Sequence, residues 1–191
     1  MLLALRNYQQ VQAWHLHDNC GCSGPVQVDP NWRPNPEINT VLPASGPGFA
    51  TYNREENGKD QVGLASFINY IQALGVEWEK QNEVPFQVGD ISREGGGPFP
   101  PHSAHQNGIE CDLRPFRKDG AMEPTNINDP SYDREQTRDF CKLVKQRDPK
   151  ATILFNDSVL IKEGLCKFHK GHHNHLHLKM GSDTPAQEVE C

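Results

Sequence analysis

The stretch Gly171–Met180, GHHNHLHLKM, packs four of the chain's nine histidines, His172, His173, His175 and His177, into six positions. Imidazole is the commonest metal ligand and the side chain that titrates near neutrality, so this density implies a metal site, an acid/base centre, or both. The His-Leu-His triplet alone does not decide, because it recurs at His15-Leu16-His17. Company separates the two. His15 and His17 have only Asp18, Cys20 and Cys22 close by, a second metal site at most, whereas the later cluster is preceded by another histidine-bearing block, PPHSAHQNGIECDLRP at Pro100–Pro115.

In that block His105 and Asp112 stand seven positions apart, and Gly108 between them can turn the chain so that a strand, IECDL, returns Asp112 beside His105. A catalytic zinc ion takes three protein ligands and leaves a fourth position open, and two histidines with one carboxylate are a known set. The missing histidine can come from the C-terminal cluster. On a strand, His175 and His177 share one face about 6.5–7 Å apart. One can then bind the metal while its neighbour stands beside the reacting water. Cys111 precedes Asp112 and alternation points it the other way, which makes it a core or disulfide residue and not a nucleophile.

Elements must bring these residues together. Between Asp60 and Gly75, Leu64, Phe67, Ile68, Ile71 and Leu74 recur at spacings of three and four, which predicts a helix with Asp60 as N-cap and Gly75 as C-terminal stop. Val84–Ser92 has the β-branched and aromatic content of a strand and runs into a loop enforced by Gly95–Gly97 and neighbouring prolines. These three glycines lack the Gly-Lys-Ser/Thr of a phosphate loop, and the expectation is that they let the chain pass close to the substrate groove. A second helix carries Phe140, Leu143 and Val144, with Asp133 and Gln136 at capping-box spacing. Ala151–Asn156 reads as a buried strand, and HNHLHLKM as one that turns His173, His175, His177 and Lys179 the same way. The expected fold is α+β: a small antiparallel sheet with flanking helices carrying a His-Asp-His site, loop-rich. Residues 1–48, crowded with Pro25, Pro30, Pro34, Pro36, Pro43 and Pro47, read as an N-terminal arm or wrapping segment, and 49–191 as the catalytic domain.

The segments VGDISREGGGPFPPHSAHQNGIECDL and HHNHLHLKM resemble the two signature blocks of the penicillin-insensitive murein endopeptidases. These sit in the wider group of lysostaphin-like, D-Ala-D-Ala metallopeptidase and hedgehog-type zinc proteins, marked by His-x6-Asp and a downstream His-x-His. FCKLVKQRDPKATILFNDSVLIKEGLC resembles the passage between those blocks and puts Cys166 where the family often has a cysteine. The likeness runs from about Gly48 to Met180. It implies one zinc ion on His105, Asp112 and His177, with His175 as the catalytic partner. It further implies that His172 lies near the reacting centre and that His102 lines the pocket, whereas His169 and His173 are expected at the surface. The activity implied is hydrolysis of peptide cross-links in bacterial peptidoglycan, in the family's case between D-alanine and a diamino acid. The alternative is a degenerate, hedgehog-like zinc protein that binds a partner or wall polymer without cleaving it.

Bulk properties narrow the partners. A formal charge of −6 excludes the basic surface a phosphate-backbone binder needs, so no nucleic acid is expected. No segment approaches a membrane span. The opening MLLALRNYQQ offers only Leu2–Leu5 as an apolar run, short of the ~7–15 apolar residues of a secretory signal. Action in the periplasm or at the cell wall is therefore expected by another route or after trimming. A phage lysis enzyme or a delivered antibacterial toxin fits that description, and the toxin implies an immunity protein. Six cysteines, Cys20, Cys22, Cys111, Cys141, Cys166 and Cys191, form no paired Cys-x-x-Cys knuckles; they suggest one to three disulfides, with reduced buried thiols as the alternative.

Overall fold

The computed structural model describes residues 32–181. His15, His17, Cys20, Cys22 and Cys191 lie outside them. Its elements run β1 (Ile38–Val41), β2 (Ser45–Gly46), β3 (Phe49–Thr51), β4 (Val62–Leu64), α1 (Ala65–Glu79), β5 (Phe86–Val88), β6 (Glu110–Leu113), α2 (Arg134–Arg147), β7 (Thr152–Leu154), α3 (Ser158–Lys162) and β8 (Leu176–Lys179). The main sheet has the order β2-β3-β5-β6-β8-β7, and β1 pairs with β4 in a separate ribbon. The fold is α+β with a small, mainly antiparallel sheet, as expected. Among the described strands β3 and β5 pair in parallel, which the crossover through β4 and α1 makes possible.

Helix α1 begins later than its apolar spacing predicts, because residues 62–64 pair with β1. Asp60 does not cap the helix; its carboxylate accepts the Glu55 N–H at 3.0 and 3.1 Å. Nor does Gly75 end it. The helix continues to Glu79, and Gly75 is buried where a Cβ would fall 2.2 Å from the Pro47 carbonyl oxygen, so its small size serves close packing. At α2 the capping signal holds: Asp133 accepts the Gln136 N–H at 3.0 Å. Between the helices and the sheet, Trp78 packs edge-on against Phe140, which also meets Phe86 at 4.8 Å between ring centroids. Cys111, Leu113, Leu176 and Leu178 join this core from β6 and β8, leaving the alternate residues of both strands for the opposite face.

From Trp32 to Gly48 the chain runs against the rest of the domain. The Asn35 N–H donates to Gly95 O and the Gly95 N–H to Ile38 O. The Gly95–Gly97 loop accordingly meets the protein's own chain: a Cβ on Gly97 would lie 2.4 Å from the Trp32 ring, and one on Gly96 2.3 Å from Gln106 O. Those glycines make room for this packing, which corrects the expected approach to a substrate groove.

Asp157 ties α3 to the start of α2. Its buried carboxylate caps α3 through the Val159 N–H (2.8 Å) and accepts from Tyr132 Oη (2.9 Å) and Arg134 Nε (2.7 Å). Burial works to raise its pKa, but Arg134, the Val159 N–H and Tyr132 outweigh it and hold it below the ordinary 3.8. A lowered folded value means that the stabilisation is present above that pH and lost as pH falls below it. Asp157→Ala removes a cap and breaks a buried network worth about 2–4 kcal/mol together, lowering Tm by roughly 5–15 °C. Thermal melts at pH 7 and pH 3 check this, the difference from the unaltered protein shrinking at the lower pH.

Candidate metal centre and cleft

The antiparallel register of β6 and β8 sets Asp112 opposite His177 and Glu110 opposite Lys179. Two residues per face on each strand therefore build one polar cluster on the side away from the core. His105 reaches it from the preceding loop, where its own φ is +62° and Gly108 follows at +64°. Three atoms meet there: His105 Nε2 lies 3.2 Å from Asp112 Oδ1, and His177 Nδ1 lies 3.1 Å from the first and 3.2 Å from the second. All three side chains are buried.

Hydrogen bonds on the outer nitrogens fix which atoms face inward. His105 Nδ1 donates to Ile91 O at 3.1 Å. His177 Nε2 donates to Glu110 Oε2 at 3.3 Å. Burial opposes charge on His177, yet the Asp112 and Glu110 carboxylates on its two nitrogens raise its pKa to about 9, so without an ion the ring holds a proton that a cation would displace. Burial likewise works to raise the Asp112 pKa, and His105, His177 and His175 more than offset it, keeping the carboxylate ionised well below its usual range. Cys111, on the other face, has its thiol pushed well up by burial and by Asp112 and Glu110, which leaves it no nucleophilic character at neutral pH.

The other histidines line up around this centre. His102 hydrogen-bonds Asp90 Oδ2 through Nε2 at 2.8 Å and brings Nδ1 to 3.8 Å from Asp112 Oδ2. His102, His105 and Asp112 are a buried His-His-Asp group that could bind a metal ion. His175 donates from Nδ1 to Asn174 Oδ1 at 2.9 Å, which in the neutral ring leaves the lone pair on Nε2, 4.0 Å from Asp112 Oδ1. His172 packs against His175 with ring centroids 4.6 Å apart and the rings tilted by 41°. Burial, and then His175, lower the His172 pKa to about 4, so the ring is neutral at pH 7. Asn156 anchors this loop from the end of β7, its N–H donating to His172 O and its side chain accepting the His169 N–H. His169 and His173 are exposed, as expected, though His169 Nδ1 lies 3.2 Å from His172 Nδ1. A cleft walled by Tyr52, Asn53, Gly89 and Asp90 opens onto His102, Asp112 and His175. A Cβ on Gly89 would strike the Tyr52 ring at 2.6 Å, so glycine there keeps Tyr52 in the wall.

All six sequence-selected residues thus gather around one cleft. Motif spacing missed Asp90, Asn174 and Glu110. Glu110 had a signal: it precedes Asp112 by two on the same strand face, as Lys179 follows His177 by two on the partner. Among the described residues the three cysteines are thiols; Cys141 and Cys166 bring their sulfurs to 3.7 Å. No described helix is long and apolar enough to cross a membrane. In comparisons with known proteins, the penicillin-insensitive murein endopeptidase family matches residues 38–153. No curated protein matches the chain.

Proposed function

The chain belongs to the penicillin-insensitive murein endopeptidase family of peptidoglycan hydrolases, and we propose that it is a single-zinc peptidase cutting the peptide cross-link between D-alanine and a diamino acid. The observation that carries the zinc is the triangle of His105 Nε2, Asp112 Oδ1 and His177 Nδ1, with edges of 3.1–3.2 Å. Bonds of ~2.0–2.1 Å to a tetrahedral ion separate its ligands by about 3.3–3.4 Å, and two imidazoles with one carboxylate suit zinc. His102 is the weaker third ligand, since Nε2 is taken by Asp90 and Nδ1 lies 3.8 Å from the Asp112 oxygen it faces.

Bound there, zinc would polarise the scissile carbonyl and make water acidic enough to attack near neutral pH. The chain's own residues do the rest. His175, its Nδ1–H held by Asn174, accepts the water proton at Nε2 and returns it to the leaving amine nitrogen as the C–N bond breaks. His172, neutral and packed against His175, shares this work by hydrogen bonding to the developing oxyanion. His102, braced by Asp90, supports Asp112 from the cleft side. The cleft lies on this side of the centre, and the family's substrate supports action at the wall. The disulfides expected of a protein acting in an oxidising place belong to the same proposal, with Cys141 and Cys166 as the described pair.

A chelator is expected to bring cleavage of purified cross-linked muropeptides to background, and one equivalent of zinc to restore it. Full activity in protein shown to be metal-free would overturn the zinc chemistry. The alternative, a zinc protein that binds wall polymer without cutting, predicts retention on insoluble peptidoglycan with no cleavage; the placement of His175 and His172 beside the centre argues against it, since a purely structural ion needs neither.

A further inference from the structure

Glu110 belongs to no ligand motif, yet its buried carboxylate touches both histidines of the triangle. One oxygen, Oε2, accepts the backbone N–H of His105 at 3.1 Å and the Nε2–H of His177 at 3.3 Å. The other, Oε1, pairs with Lys179 Nζ at 2.7 Å. These contacts act on different weaknesses of the site. His105 sits at φ +62°, a left-handed conformation that a side-chain-bearing residue holds only when its surroundings impose it. The Glu110 bond to its N–H is one such imposition. His177 must turn Nδ1 inward, and an acceptor on Nε2 selects that tautomer and ring orientation.

Resting on the zinc reading above, we infer that Glu110 is the positioning residue that holds both ligand histidines ready for the metal, with Lys179 keeping its charge balanced. Glu110 uses both oxygens in these contacts, Oε1 toward Lys179 and Oε2 toward His105 and His177. It does not touch the open cleft and performs no chemistry on substrate. Because one side chain serves two ligands, its loss loosens both together.

The test is zinc affinity, measured by competition with a chromophoric chelator on the full chain, alongside thermal melts of the metal-free proteins. Glu110→Ala is expected to weaken zinc by about 10–100-fold. Glu110→Gln keeps an oxygen acceptor for His105 and His177 while losing the charge that meets Lys179, and is expected to recover most of that loss, to within about 3-fold of the original. Recovery by the amide is what a merely structural change would not produce. The visible spectrum of the cobalt-loaded protein gives an independent readout: Glu110→Ala should alter the ligand-field bands, and Glu110→Gln should leave them nearly unchanged. If Glu110→Ala does not fold, Glu110→Met, which fills the space without an oxygen acceptor, takes its place in both measurements with the same expected loss. Unchanged zinc affinity in both variants, or weakening by the amide as severe as by alanine, would overturn the proposal. Failure of the unaltered protein to bind zinc at all would instead sink the zinc reading on which it rests.

Discussion

His175→Ala is expected to retain one zinc ion per chain while kcat falls by about 10²–10⁴-fold and KM changes little. The reason is geometric. His177, His105 and Asp112 supply the three atoms that converge within 3.2 Å of one another, and His175 stands outside that triangle with Nε2 4.0 Å from Asp112 Oδ1. Removing its ring takes away a proton acceptor whose orientation Asn174 fixes, and leaves the ligand set untouched. Asn174→Ala should then give a smaller loss of the same kind, in kcat and not in metal content. Loss of zinc in step with activity in the His175 variant would make that histidine a ligand and contradict the assignment.

Asp112→Ala is expected to do the reverse, emptying the site and abolishing turnover as a consequence. Asp112 shares edges with both histidines and is the counter-charge that His102 and His175 also face. Four-ligand structural zinc sites bind with ~10–16 kcal/mol, so one ligand is worth about 3 kcal/mol and its loss weakens zinc by on the order of 10²-fold or more. The remaining metal-bound fraction lacks the geometry for catalysis, and kcat/KM should fall by about 10³-fold or further. Asp112→Asn separates charge from shape: the amide fits the space, but His177 loses a carboxylate that raises its pKa, and Glu110 alone holds it up. Metal analysis after dialysis against a weak chelator reads both variants. Full zinc occupancy in Asp112→Ala would require His102 to serve in its place and would redraw the centre.

The candidate site was more legible in the chain than the architecture. His105, Asp112, His175 and His177 announce themselves through spacing, because residue types able to bind a metal or move a proton are few and stand here at short separations. What spacing leaves open is which histidine of His-x-His turns inward. That depends on the β6–β8 register, which places Asp112 opposite His177 and sends His175 to the strand's entrance, before Leu176. Register is a long-range property, set by which faces can be buried, and local pattern carries it only in part. The supporting residues were hidden for a related cause. Asp90 meets His102 across twelve positions and Ile91 O meets His105 across fourteen, contacts between loops that no periodicity encodes.

Local signals also yielded to tertiary ones. The apolar spacing from Leu64 to Leu74 marked α1 correctly as a helix but not its ends: β4 claims residues 62–64, and burial against Pro47 O carries Gly75 inside. Asp133 kept its predicted capping role because a cap is satisfied within a single turn. The expected antiparallel sheet acquired a parallel pair because α1 lies between β3 and β5, a crossover that strand-by-strand reading does not see.

The most direct measurement is mass spectrometry of purified cross-linked muropeptide dimers after incubation with the zinc-loaded protein, beside His175→Ala with its zinc verified. The account predicts monomers from the unaltered protein only, with stem masses that place the cut between D-alanine and the diamino acid. Dimers that survive the zinc-loaded, folded protein intact would contradict it.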